Sequence, residues 1–166
     1  MNQYCVVVAN GAKARFFTLE ETEYPELESG PNLVEVNSLN NPEMESRRGE
    51  HWSENKSGRN RGARGAPAHG YDDHRSQHED EYERRFANSI ADEARRFSQS
   101  HNSSGVILVS QKRMLGFLRS AIEPKFGGIR TKELAKDLSK LNPIELHEHL
   151  AKEDLIPHRR PPSLAS

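Results

Sequence analysis

Apolar positions in this chain gather into a few short blocks separated by long polar stretches. The first block, residues 3–9 ("QYCVVVA"), is nearly continuous rather than alternating, which predicts a strand buried on both faces. Asn10-Gly11 follows; both residues tolerate positive φ and so favour a tight hairpin turn. "ARFFTLE", residues 14–20, predicts the returning strand. After the polar loop "EETEYPELESGP", with Tyr24 and Leu27 as candidate anchors, "NLVEVNSL" (residues 32–39) alternates imperfectly and predicts a third strand at a sheet edge.

From about residue 40 to 78 apolar residues nearly vanish, Met44 and Trp52 being the main exceptions. A structureless stretch of that length is unusual inside a compact domain and points to a functional or disordered loop. Residues 80–101 then place Tyr82, Phe86, Ile90 and Phe97 at three- and four-residue steps or their multiples. That stripe predicts a long amphipathic helix, with an acidic first turn suited to the helix dipole. "SGVILVS", residues 104–110, predicts a second buried strand. Residues 111–122 predict a helix with Met114, Leu115, Leu118 and Ile122 on one side, ended by Pro124. A short strand is expected to begin near Ile129, with Leu134 and Leu138 packing after it. Asn142 and Pro143 occupy N-cap and N1 positions of a last helix, and residues 156–166 are expected to form a flexible, frayed tail. The order gives three antiparallel strands followed by βαβ crossovers. The expectation is a single α/β domain over residues 1–155, a mixed sheet with helices packed on it.

Composition sharpens this picture. Hydrophobic residues are 33% and charged residues 30% of 166, a lean core that leaves part of the chain outside it. The formal net charge of −1 advertises no global nucleic-acid-binding field, so any electrostatic footprint must be local. The single Cys5 sits in an apolar run and is expected to pack as a small hydrophobe. The first residues lack the basic and apolar regions of a signal peptide, and nothing approaches the ~18 apolar residues of a membrane helix. The expectation is a cytoplasmic protein with no membrane insertion; its oligomeric state is left open.

Candidate chemistry is sparse. There is no GxSxG, no Walker A motif and no GxGxxG after a strand, and no cofactor is indicated. His74 and His78 have i, i+4 spacing near Asp72 and Asp73, a weak candidate metal pair against the simpler alternative of a solvated lead-in to the helix. His147 and His149 are two apart on a helix and point to different faces. The distinctive stretch is "GRNRGARGAPAHG", residues 58–70. Glycine lets a backbone approach a phosphate, and arginine offers it a planar fork of donors. Arg47, Arg48, Arg59, Arg61 and Arg64 are therefore candidate nucleic-acid contacts; the alternative is a disordered or merely structural loop.

Three blocks together resemble the bacterial host-attachment protein family: "YCVVVANGAKARFFTLE", "VILVSQKRMLGFLRSAI" and "KELAKDLSKLNPIELHEHL". The matching positions include Gly11, Ala14, Arg15 and Phe16; Leu115, Gly116, Leu118 and Arg119; and Lys136, Asp137 and Leu138. That family is similar to the middle domain of archaeal and eukaryotic peptide-chain release factors. The resemblance implies a ribonuclease-H-like domain with a five-stranded mixed sheet. It also implies that the loop before the long helix occupies the place of the release factors' Gly-Gly-Gln tip. Here that loop carries "GRNRGARGAP" and no Gly-Gly-Gln, so peptidyl-tRNA hydrolysis does not carry over. The expected function is a non-catalytic binding module with ribosomal RNA or tRNA as partner. The alternatives are a protein-binding regulatory or cell-surface factor in attachment, and a metal-dependent nucleic-acid hydrolase.

Overall fold

A computed structural model describes residues 4–44, 68–127 and 129–165, the side chains of 68–77 and of 165 excepted. The elements are β1 (Tyr4–Ala9), β2 (Lys13–Glu20), β3 (Asn32–Asn40), α1 (Ala68–Ser100), β4 (Gly105–Ser110), α2 (Lys112–Ile122), β5 (Arg130–Ala135) and α3 (Pro143–Lys152). The five strands form one mixed sheet in the order β3-β2-β1-β4-β5. β1 pairs antiparallel with β2 and β2 with β3, whereas β1–β4 and β4–β5 are parallel. The expected α/β class, meander followed by crossovers, is the observed architecture.

The continuous apolar runs are central strands covered on both faces. Cys5, Val7 and Ala9 of β1 and Val106 and Leu108 of β4 pack in one core with Phe86, Ile90 and Phe97 of α1 and Leu115 and Leu118 of α2. Val6 and Val8, with Ile107 and Val109, pack in the other core with Leu146 and Leu150 of α3. Period-two alternation thus sends apolar residues to two different helical layers.

β3 alternates imperfectly because of a bulge. Its register with β2 shifts between Phe16 and Phe17, which pair with Asn37 and Glu35 and leave Val36 as the extra residue. Leu33 therefore joins the α3 face while Leu39, six residues on, joins the α1–α2 face.

Four expectations are corrected. The β1–β2 turn does not use positive φ at Asn10: Asn102 and Asp154 are the non-glycine residues with positive φ among those described. Instead the Asn10 carboxamide oxygen accepts from the backbone N–H groups of Ala12 and Lys13, both at 2.8 Å, and closes the loop as an Asx turn. The long helix begins at Ala68 rather than near 80, so residues 68–78 belong to α1 and not to the loop. Its first turn is then not acidic: Asp80 and Glu81 lie in its interior. That early part escaped detection because it carries no apolar stripe to bury. The short strand expected near Ile129 is found at Arg130–Ala135. Finally, the expected frayed tail is tied down. Gly30 and Arg160 exchange backbone bonds of 3.1 and 2.7 Å, Arg159 Nε donates to Asn32 Oδ1 at 2.9 Å, and Ser163 N–H donates to the carbonyl of Pro25 at 3.1 Å.

Candidate functional site

The carboxyl ends of β1, β3, β4 and β5 all reach the same edge of the sheet, because β3 runs parallel to β1 through β2. Strand order reverses between β1 and β4, and in open α/β sheets the crevice outside the strand ends at such a point is where ligands bind.

One chain of hydrogen bonds joins the tips of three strands there. Asn10 Nδ2, after β1, donates to Ser139 Oγ at 3.0 Å. Ser139 Oγ donates to Asp137 Oδ1 at 2.6 Å, after β5. Gln111 Nε2, after β4, reaches Asp137 Oδ2 at 3.4 Å. Ser110 Oγ, fully buried, donates to the Ala9 carbonyl at 2.8 Å and staples β4 to β1. Arg15 holds the outer loop: Nη1 donates to the carbonyls of Ser139 (3.1 Å) and Leu141 (2.6 Å), Nε pairs with Glu35, and the guanidinium lies 4.9 Å from the Phe17 ring centre.

α1 forms the second wall. Glu83 lies against the β1–β2 turn: a Cβ on Gly11 would stand 2.7 Å from Glu83 Oε1. Arg113, at the start of α2, pairs with Asp80 and lies 3.3 Å from Glu83 Oε2, within ion-pair range but not aligned for a hydrogen bond. Burial raises the Glu83 carboxyl above its ordinary range; Arg113 opposes this, and Asp80 and Glu79 add to it. The carboxylates of this crevice are thus engaged by a guanidinium or by Ser139 and Gln111. No group of three or more His, Cys, Asp or Glu residues able to hold a metal occurs among the described residues.

The end of β3 is fastened at this edge. Asn41, 2% exposed, is the anchor. Its backbone N–H donates to the Ala12 carbonyl at 2.8 Å, and its Nδ2 donates to the carbonyls of Gly11 (3.0 Å) and Tyr82 (3.3 Å). Its Oδ1 accepts from Glu43 N–H at 3.2 Å, capping the short helical turn over residues 42–44. Asn41 thereby fastens β3's end to the β1–β2 turn and to α1. Sequence reasoning missed it, although "NNPE", with Asn before Pro, is a helix-start signal. α1 begins eighteen positions before Phe86, the first buried apolar residue among its described side chains. At 1.5 Å per residue that is about 27 Å, so α1 overhangs the sheet edge.

The candidate arginines Arg47, Arg48, Arg59, Arg61 and Arg64 lie outside the described residues. His74 and His78 both fall on α1; the His78 ring stacks on Tyr82 with centres 6.1 Å apart, and the His74 side chain is outside the description. The family-motif positions have structural partners. Phe16 is fully buried beside Phe97, Leu115 and Leu118 face the core, and Leu138 lies under α3. Arg119 is bidentate to Glu133 at 2.8 and 2.6 Å, and Lys136 pairs with Glu153 at 3.0 Å. Gly116 differs: a Cβ there would meet nothing within 4 Å. No described helix is long and apolar enough to cross a membrane.

The model of the family described as "protein required for attachment to host cells" matches residues 5–150. No curated protein matches the chain.

Proposed function

Because this chain belongs to the family of proteins required for attachment to host cells, we propose that it acts as a non-catalytic binding module that contacts ribosomal RNA or tRNA. The contact is made at the carboxyl edge of the sheet, through Arg47, Arg48, Arg59, Arg61 and Arg64. The observation that carries this reading is the anchoring of Asn41. It fixes the exit of the arginine-bearing segment against the β1–β2 turn and the overhanging α1, at the reversal point of the strand order. The described edge is not itself a basic patch, since Arg113 is matched by Asp80 and Glu83. The positive charge in this reading comes from the segment.

The order β3-β2-β1-β4-β5, with β1, β4 and β5 parallel, supports a ribonuclease-H-like arrangement similar to the release-factor middle domain. In that comparison the segment takes the place of the catalytic tip, with Gly62, Ala63 and Arg64 or Gly65, Ala66 and Pro67 as the nearest stand-ins for Gly-Gly-Gln. Binding without hydrolysis is what such a substitution leaves. The protein is then a cytoplasmic one whose contribution to attachment is indirect.

The test is tRNA binding as a function of salt. Several phosphate contacts make log affinity fall linearly with log salt, by about 0.7 per neutralised phosphate on single strands and about 0.9 on B-form duplex. Replacing Arg59, Arg61 and Arg64 by Ala is expected to flatten that slope by about 2–3. Absence of binding at low salt overturns the proposal.

A further inference from the structure

α3 is ten residues long and packs on the sheet face that carries Val6, Val8, Ile107 and Val109. At the amino half of that face a cleft of about 750 Å³ remains open. Its floor is Tyr4 and Leu19, and its wall is the tail segment Leu155–His158. The tail is not loose here. His147 Nε2 bonds the Pro157 carbonyl at 2.8 Å, and the Gly30–Arg160 bridge holds the next turn of chain.

The floor is built with care at one position. Gly105 pairs with Tyr4 across β1–β4, and a Cβ there would lie 2.2 Å from Tyr4 Cε1 and 2.9 Å from the Arg130 carbonyl oxygen. The missing side chain lets the Tyr4 ring lie against the backbone of β4. On the next strand Arg130 and Lys132, two residues apart, point to the same face. Lys132 Nζ lies 4.8 Å from the Tyr4 ring centre. Neither cation pairs with a carboxylate among the described residues, whereas Arg119, Lys125 and Lys136 nearby all do. The opposite rim carries Glu20, Glu21 and Asp154.

We propose that this cleft binds a small organic anion: an oxyanion head on Arg130 and Lys132, and a flat apolar body against Tyr4, Leu19 and Ile156. The volume lies within the ~300–1,000 Å³ of small-molecule sites, and an apolar floor with a few convergent polar groups is their usual make-up. The acidic rim fixes the orientation, because it repels the head and tolerates only the uncharged or cationic end of the ligand. This site lies at the amino end of the sheet, opposite the edge assigned to RNA, and stands or falls independently of that assignment.

The test is a titration of the ¹⁵N-labelled full chain with phenyl phosphate and benzoate, followed by amide shifts. Saturable shifts are expected at Leu19, Arg130 to Lys132 and Ile156 with both probes. Inorganic phosphate is expected to bind at least tenfold more weakly, and benzylammonium, whose charge only the acidic rim accepts, to leave the amides of Arg130 to Lys132 unmoved. R130E and K132E, both on an exposed edge strand, are expected to stay folded and each to weaken binding of phenyl phosphate at least tenfold. Equal shifts in either variant, equal response to benzylammonium, or no saturable shift at these amides overturns the proposal.

Discussion

The imidazole of His147, 1% exposed, is bonded through Nε2 to the backbone carbonyl of Pro157 at 2.8 Å, while its Nδ1 is buried without a partner. A carbonyl only accepts, so Nε2 carries the proton and Nδ1 is bare. The neutral ring is the form this site holds.

A pH dependence follows. Burial pushes the His147 pKa below its ordinary value of 6.5, the Pro157 carbonyl opposes this, Arg159 and His158 add to it, and Glu148 opposes it. The unfolded chain therefore takes up a proton that the folded chain refuses. His147 costs no stability above pH about 6.5, and stability is lost as pH falls below that value towards the depressed folded one. Urea midpoints between pH 7 and 5 are expected to decline, and His147→Gln, which keeps a donor to Pro157, is expected to decline less. Equal slopes for both proteins contradict the assignment.

Cys5 is fully buried and its thiol is pushed up to about 12, chiefly by burial. At neutral pH it is a thiol with no access, not a nucleophile. Alkylation by iodoacetamide is expected to proceed only through opening of the fold. Its rate should rise with urea in parallel with the unfolded fraction, and rapid labelling in native buffer would contradict the burial.

Two glycines should respond to alanine in opposite ways. Gly105→Ala forces a Cβ into the Tyr4 ring and the Arg130 carbonyl, an overpacking expected to cost about 1–3 kcal/mol. Gly116→Ala, inside α2 with open space around the new methyl, is expected to stabilise by up to about 1 kcal/mol through helix propensity alone. Chemical denaturation of the two variants measures both.

Asn41→Ala removes the donor to the part-buried carbonyls of Gly11 and Tyr82 and the cap of the following turn. The expected loss is about 1–3 kcal/mol, because two acceptors and a cap lose their partner at a side chain that is itself buried. Equilibrium unfolding checks it, and a change below the experimental error would show that Asn41 does not anchor the edge.

The fold was legible where burial writes a pattern. "CVVVA" and "GVILVS" announced central strands because both of their faces are covered, and Asn142-Pro143 announced α3 as the N-cap and N1 positions they hold in the structure. Legibility failed where the pattern is broken or empty. The bulge at Val36 shifted Leu33 and Leu39 to opposite faces, which no fixed period reveals. The first turns of α1, residues 68–78, carry no apolar stripe in the sequence. At the carboxyl edge, Arg15 and Asp137 were visible as motif positions, but their tie through Ser139 links residues more than a hundred apart and required the sheet. The cleft under Tyr4 left no sequence trace beyond a glycine opening β4.

The most direct test of the central claim is co-sedimentation with ribosomes, wild type against the Arg59→Ala, Arg61→Ala, Arg64→Ala triple variant, across a salt series. The account predicts that wild type pellets with ribosomes at low salt and is released as salt rises. The triple variant should be released at distinctly lower salt while its unfolding transition stays unchanged. Wild type that stays in the supernatant at low salt, or a triple variant that pellets identically, contradicts it.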